Sequence, residues 1–352
     1  MTGRARAGEA QGLFGPGAEK PISLALQGGG SHGAFTWGVL DRLIEDGRLG
    51  IEAITGASAG SMNAVMMVDG WLGGGPDGAR AQLASFWRHV SLDGNLSAAQ
   101  RHVFDRMLGF WSSAERSAGL WLDLWQQTVS PYVSNPLDIN PLRGVLDALV
   151  DFERLRRSDV KLFVSATSVW TGKVRIFETA ELGADHVMAS ACLPTLFQAV
   201  EIDGEPFWDG GYSGNPALFP LFYNAQSDDV LLVQINPVER RETPRDAQAI
   251  QDRLREISFN AGLLRELRVM DFVTRLIDDG KLSQAEYKRV LMHRVGGDGV
   301  LETFPASSRL KAEWGLFETL RDAGREAASA WLAAHYDDVG RRSTLDLRAA
   351  IA

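Results

Sequence analysis

A serine set among four small residues, Gly56-Ala57-Ser58-Ala59-Gly60, is the segment of this chain best suited to covalent chemistry. The G-x-S-x-G spacing allows a sharp turn that exposes the serine Oγ, and small neighbours are needed because the backbone passes close to itself. An apolar run, Ile51–Thr55, precedes it, and a helical pattern over Ser61–Asp69 follows. This context predicts a strand, a tight turn carrying the nucleophile, and a helix whose N-terminus adjoins the serine. Upstream, Gln27-Gly28-Gly29-Gly30-Ser31-His32-Gly33 joins another apolar run, Ile22–Leu26, to a helical pattern at Phe35, Val39, Leu40, Leu43 and Ile44. Read as G-x-G-x-x-G, this turn matches a dinucleotide fingerprint. That reading requires an acidic residue about 20 positions on, at the tip of the next strand. The next strand ends instead in the serine turn, Glu52 sits near that strand's start, and no Lys-Ser/Thr pair makes a P-loop. The nucleotide reading fails its own test. Successive backbone N–H groups at a helix N-terminus suit an oxyanion better, because their fixed dipoles point at developing negative charge.

A serine nucleophile needs a base. The six histidines, His32, His89, His102, His186, His293 and His335, include none in a turn of catalytic character. Trp208-Asp209-Gly210-Gly211 is the better candidate, an acid followed by two glycines in a loop beyond a short apolar segment.

In this order the three elements resemble the patatin-like phospholipase family, whose pattern is a Gly-rich motif, then GxSxG, then D-G-G/A. Here these are Gly28–Gly33, Gly56–Gly60 and Asp209–Gly211. Ala189-Ser190-Ala191-Cys192-Leu193-Pro194, continuing to Val200, is similar to the segment that precedes the aspartate in that family. The resemblance covers about residues 21–240. It implies a three-layer α/β/α fold with a mainly parallel central sheet, and hydrolysis of acyl esters by a Ser58–Asp209 dyad without histidine. In that scheme Ser58 attacks the carbonyl and Asp209 takes its proton. N–H groups of Gly28, Gly29 and Gly30 hold the oxyanion, and Gly33, Gly56, Gly60, Gly210 and Gly211 shape the turns. It implies a lipid or other acyl-ester substrate and calls for no cofactor and no metal. A free aspartate has a pKa near 3.9, so loss of solvation must strengthen this base. The chain departs from the family at His32, where Arg or Lys is usual, and at Gln198-Ala199 before Val200. Neutral esters, thioesters, polyesters and lysophospholipids all stay open as acyl donors. Two alternatives stand beside the dyad. One is a triad of Ser58, Asp209 and His293, in the chain order of the α/β-hydrolases; the other is a lipid-binding or regulatory module without activity.

The elements that must position these residues alternate strand, glycine turn and helix twice within about 50 residues, which argues a parallel α/β sheet. Further strands are expected at Lys161–Val169, Val174–Thr179 and Val230–Ile235, with an outlying one at Tyr287–Val295. Residues 1–20 read as a flexible tail, 21–240 as the hydrolase domain, and 241–352 as a mainly helical C-terminal extension. That extension would complete the core, cap the site or form a homodimer interface. Ile250, Leu254, Ile257, Ala261, Leu264 and Ile277 mark one long amphipathic segment within it, and 308–336 a final helix. Residues 104–125, with Trp111, Trp121 and Trp125, are the most aromatic stretch, either core or a surface admitting acyl chains.

Composition bounds the rest. The 352 residues carry 36 basic and 45 acidic side chains, a net charge of −9, and 45% are hydrophobic, as in an ordinary globular protein. The balance lacks the basic footprint of a nucleic-acid binder, and Cys192, the single cysteine, has no disulfide partner in the chain. No apolar run approaches the roughly 18 residues of a membrane span, and no targeting segment is visible. The expected setting is the cytoplasm, with transient hydrophobic contact at a membrane or lipid surface, and the 10 Trp are the one compositional oddity.

Overall fold

The computed structural model describes residues 19–91, 130–245, 247–304, 308 and 312–351. The aromatic stretch 104–125 lies outside the described residues, as does the expected tail apart from Glu19 and Lys20.

Eight strands form one sheet: β1 (Lys20–Leu26), β2 (Leu49–Ala57), β3 (Lys161–Ser168), β4 (Val174–Glu178), β5 (Val200–Ile202), β6 (Glu205–Asp209), β7 (Asp229–Gln234) and β8 (Leu291–Gly296). Their order is β5-β6-β3-β2-β1-β7-β8, with β4 also pairing with β3. The five from β3 to β8 run parallel, whereas β4 and β6 pair antiparallel with β3, and β5 pairs antiparallel with β6. The chain moves outward from β1 through β2 to β3 and later returns to the other side of β1 as β7 and β8. In open α/β sheets, ligand sites form beyond the carboxyl ends of strands where the order reverses in this way.

Helices cover both faces: α1 (Gly33–Asp46), α2 (Ala59–His89), α3 (Pro141–Leu149), α4 (Phe152–Arg156), α5 (Ala184–Ser190), α6 (Phe219–Asn224), α7 (Ala247–Asp278), α8 (Trp314–His335) and α9 (Leu347–Ile351). Alternation along β1 makes the layers. Ile22, Leu24 and Leu26 pack with Phe35, Val39, Met66, Leu83, Phe317 and Leu320 on one side. Ala25 faces the other, with Leu221, Leu263, Leu267 and Met270. Each such aliphatic or aromatic side chain contributes about 1.5–3 kcal/mol when buried. The result is the three-layer α/β/α arrangement expected from the sequence.

Residues beyond 240 supply strand β8, which extends the sheet beside β7, as well as helices on both faces. Helix α8 lies directly on α1. A Cβ on Gly38 would strike the Arg321 carbonyl and one on Gly324 the Phe35 carbonyl, so the two backbones touch where each helix carries a glycine. Arg325 pairs with Asp41 and Glu45 across this contact, and Arg42 Nε donates to Ser329 Oγ at 3.0 Å. Helix α2 is kinked where Gly74 and Gly75 leave helical geometry just before Pro76.

Candidate active site

Ser58 stands between the end of β2 and the first residue of α2, at φ 52° and ψ −124°. A positive φ at a non-glycine residue costs on the order of 1–3 kcal/mol and persists only where its surroundings enforce it. Here the enforcement is visible. The Ser58 N–H donates to Ser190 Oγ at 3.0 Å, and its carbonyl accepts from Ser61 Oγ at 2.6 Å and from the Met62 N–H at 3.1 Å. Ser190 comes from the segment that precedes the aspartate. The small neighbours are needed for close approach, because Gly56 lies against the Gly60 backbone and Gly60 against the Leu26 carbonyl.

Asp209 ends β6, level with Ala166 of β3, and is completely buried. Its N–H donates to the Cys192 carbonyl at 2.8 Å, and its own carbonyl accepts from Thr167 Oγ1 at 2.8 Å. Of the carboxylate oxygens, Oδ1 accepts from the Gly211 N–H at 2.7 Å, while Oδ2 is buried without a hydrogen-bond partner of good geometry. Burial raises the Asp209 pKa to about 7, against the opposing pull of the Ser58 hydroxyl and the Gly211 N–H. The serine hydroxyl and the carboxyl are therefore close neighbours. Gly210 backs onto the Ser165 carbonyl and Gly211 onto the Phe259 ring, which leaves no room for side chains beneath the aspartate.

The Gly-rich turn follows β1 and reaches the same place. A Cβ on Gly28 would lie 2.6 Å from Ser58 Cβ and 2.6 Å from the Ala57 carbonyl oxygen. Gly33 opens α1 against Ala59 and Trp87. One expectation needs correcting. The Gly28 N–H is already engaged, donating to Asn215 Oδ1 at 2.7 Å, so it is not available to an oxyanion. Gly29 and Gly30 keep N–H groups with no hydrogen bond among the described residues. Behind the turn sits a set of amide side chains that sequence reasoning missed. Asn236 Nδ2 donates to the Gly28 carbonyl at 2.6 Å and Asn215 Nδ2 to the same oxygen at 3.3 Å. Gln27 Oε1 accepts from the Ile235 and Asn236 N–H groups at 2.9 Å each, and Gln27 Nε2 donates to Asn260 Oδ1 at 3.1 Å. The one sequence signal for Asn215 was its place shortly after the Asp-Gly-Gly turn.

The histidines stand elsewhere. His293, the alternative triad member, is buried in β8 with Nε2 on Asp229 Oδ1 at 2.8 Å and Nδ1 on Thr344 Oγ1 at 3.0 Å. Both ring nitrogens are committed to residues other than Ser58 and Asp209, and the triad reading falls. His32 is buried beneath the glycine turn, with Nε2 2.7 Å from Ser308 Oγ and its ring edge-on to Phe304. Glu52, the acid nearest a ribose-binding position, is tied to Lys161 Nζ at 2.8 Å and to the Gln226 and Ser227 N–H groups at the start of β2. Cys192 is buried, with a thiol pKa pushed up by burial to about 12, and is no nucleophile. Among the described residues, no group of three or more His, Cys, Asp or Glu side chains is placed to hold a metal ion.

Comparison with known proteins bears on this geometry. The model of the family described as patatin-like phospholipase matches residues 24–222, more than half of the chain and the span from β1 to α6. Among solved structures, the crystal structure of VipD from Legionella pneumophila is similar at 14% identity and a TM-score of 0.40, covering 92% of this chain and 68% of that one. No curated protein matches the chain.

Proposed function

The chain belongs to the patatin-like phospholipase family, a family of lipid acyl hydrolases, and from that premise we propose that Ser58 and Asp209 are its catalytic dyad. The observation that carries the proposal is the Asp209 carboxyl, fully buried beside the Ser58 hydroxyl with its pKa raised to about 7. At ordinary aspartate strength the carboxylate would be too weak a base, whereas near neutrality its proton affinity matches its task. The Ser58 Oγ attacks the ester carbonyl as its proton passes to Asp209. The negative charge developing on the carbonyl oxygen is held by the Gly29 and Gly30 N–H groups. The carbon–oxygen bond to the alcohol breaks, and the alcohol leaves with the proton from Asp209. Water then attacks the acyl-serine, Asp209 takes a proton from that water, and the fatty acid departs as Ser58 recovers its hydrogen. With Oδ1 held by the Gly211 N–H, Oδ2 is the acceptor for these transfers.

The substrate in this reading is an acyl ester of lipid type. Exposed apolar side chains available to meet it include Trp170 on the β3–β4 turn and Leu254 and Ile257 in the first turns of α7.

The test is hydrolysis of a short-chain chromogenic ester by Ser58→Ala and Asp209→Asn, with fluorophosphonate labelling of the parent. Each substitution is expected to lower kcat by about 1,000-fold or more, and the label is expected on Ser58. Near-parental turnover in either folded variant overturns the dyad. Failure of the parent both to label and to hydrolyse would make the chain a binding module.

A further inference from the structure

We propose that Asn215 and Asn236 are positioning residues that hold the oxyanion-binding turn in register with Ser58. The claim rests on the dyad reading and extends it to side chains that touch neither substrate nor nucleophile. A turn of three glycines has no side chains of its own by which to be held. Something else must fix the directions of its N–H groups, since an oxyanion donor works only within about 2.7–3.1 Å of its target.

The Gly28 peptide groups are gripped from two sides. Asn215 accepts the Gly28 N–H at 2.7 Å and donates to the Gly28 carbonyl at 3.3 Å, and Asn236 donates to that carbonyl at 2.6 Å. Asn236 is in turn anchored by Gln27 Oε1, which takes its N–H at 2.9 Å and its Nδ2 at 3.1 Å. Asn215 is 0% exposed and Asn236 1%. Burying amides is costly unless their hydrogen bonds are made; Asn236 Oδ1 goes without a partner, and the bonds that are made, from Asn215 and from Asn236 Nδ2, converge on Gly28 and its neighbour Gln27. The consequence falls on its neighbours. With the Gly28 N–H directed away to Asn215, the next two N–H groups, of Gly29 and Gly30, are left unbonded at the head of the turn.

The placement of the two asparagines matters as much as their bonds. Asn215 lies on the loop that leaves Asp209, so one side chain couples the position of the base to that of the oxyanion donors. Asn236 follows β7, the strand that borders β1 on the side away from β2. The frame is built from neutral amides, which do not titrate, so the donors keep their directions while Asp209 changes its protonation.

Asn215→Ala and Asn236→Ala test the inference, with kcat and KM measured on a soluble short-chain ester and expressed per folded molecule from circular dichroism. Loss of the Asn215 clamp is expected to lower kcat by roughly 100-fold, the effect of losing one oxyanion donor, with KM within about threefold of the parent. The rate constant for fluorophosphonate labelling should fall in parallel, because the phosphoryl oxygen uses the same donors. Asn215→Asp keeps an acceptor for the Gly28 N–H and is expected to lose less than Asn215→Ala; it also serves if the alanine variant does not fold. A kcat per folded molecule within about threefold of the parent in the folded Asn215 variants, with only the melting temperature lowered, overturns the positioning role. Ser58→Ala, assayed beside them, separates the two claims. Activity that survives without Ser58 overturns the nucleophile, whereas activity that needs Ser58 but ignores Asn215 overturns only the clamp.

Discussion

At the scale of single residues, Asp209 carries two opposite pH consequences. In the proposed dyad only its ionised form can accept the Ser58 proton, and burial raises its pKa from 3.8 to about 7. Ester hydrolysis should therefore rise tenfold per pH unit below about 7 and level off above it, as a profile of kcat/KM between pH 5 and 9 would record. Stability moves the other way. A carboxyl whose folded pKa lies above its unfolded value stabilises the fold fully below about pH 4, and that contribution is lost as pH rises through about 7. Asp209→Asn should thus be inactive yet melt higher than the parent at pH 8, by on the order of 5 °C, with the gap closing toward pH 4. Equal melting temperatures at both pH values would contradict the buried charge. Ser58, Asp209 and the glycines were legible because each sits in a short motif whose neighbours are themselves constrained by the turn. Asn215 and Asn236 were not, since an isolated asparagine has no local signature and only the fold brings both to Gly28. His293 misled for the same reason in reverse. It fits a triad by chain order, but the sheet gives it to Asp229.

At the scale of elements, repeated strand–turn–helix patterns were enough to read the parallel centre of the sheet. The antiparallel flank was harder to read, because short strands such as β5 carry too few residues to show a period. The meeting of α1 and α8 was also hidden: an apolar stripe says that a face is buried but not against which partner. Two glycines make that meeting possible, at Gly38 and Gly324. Gly38→Val should force the helices apart and destabilise the protein by about 1–3 kcal/mol, the usual cost of overpacking. A urea titration would read this as a lower midpoint at similar slope, and an unchanged midpoint would mean that the helices are not in backbone contact. The ion pairs around the crossing, Arg325 to Asp41 and Glu45, are partly exposed and contribute less, about 0.2–1 kcal/mol each.

At the scale of the whole molecule, net charge and surface set how a lipid is approached. No helix among the described residues is long and apolar enough to cross a membrane. Trp170, Leu254 and Ile257 are 69%, 51% and 52% exposed, and Arg253 and Arg255, on either side of Leu254, are paired with Glu256 and Asp252. If the proposed enzyme meets lipid through these apolar side chains, a chain of net charge −9 should bind zwitterionic vesicles by apolar contact alone. Sedimentation with phosphatidylcholine vesicles is expected to change little between low and high salt, and Trp170→Ser with Leu254→Ser should lower binding by about tenfold or more. Strong weakening by salt would instead assign the contact to charge. The crossing of α1 with α8 also sets a schedule for making the protein. Arg42 and its partner Ser329 are 287 positions apart, so at about 5–20 residues per second a ribosome needs roughly 15–60 s to deliver the second after the first. Ser58 emerges early, but β7, Asn215 and α8 emerge late. A nascent chain holding Ser58 is therefore an incomplete apolar sheet, and the proposed site is whole only once its last elements arrive.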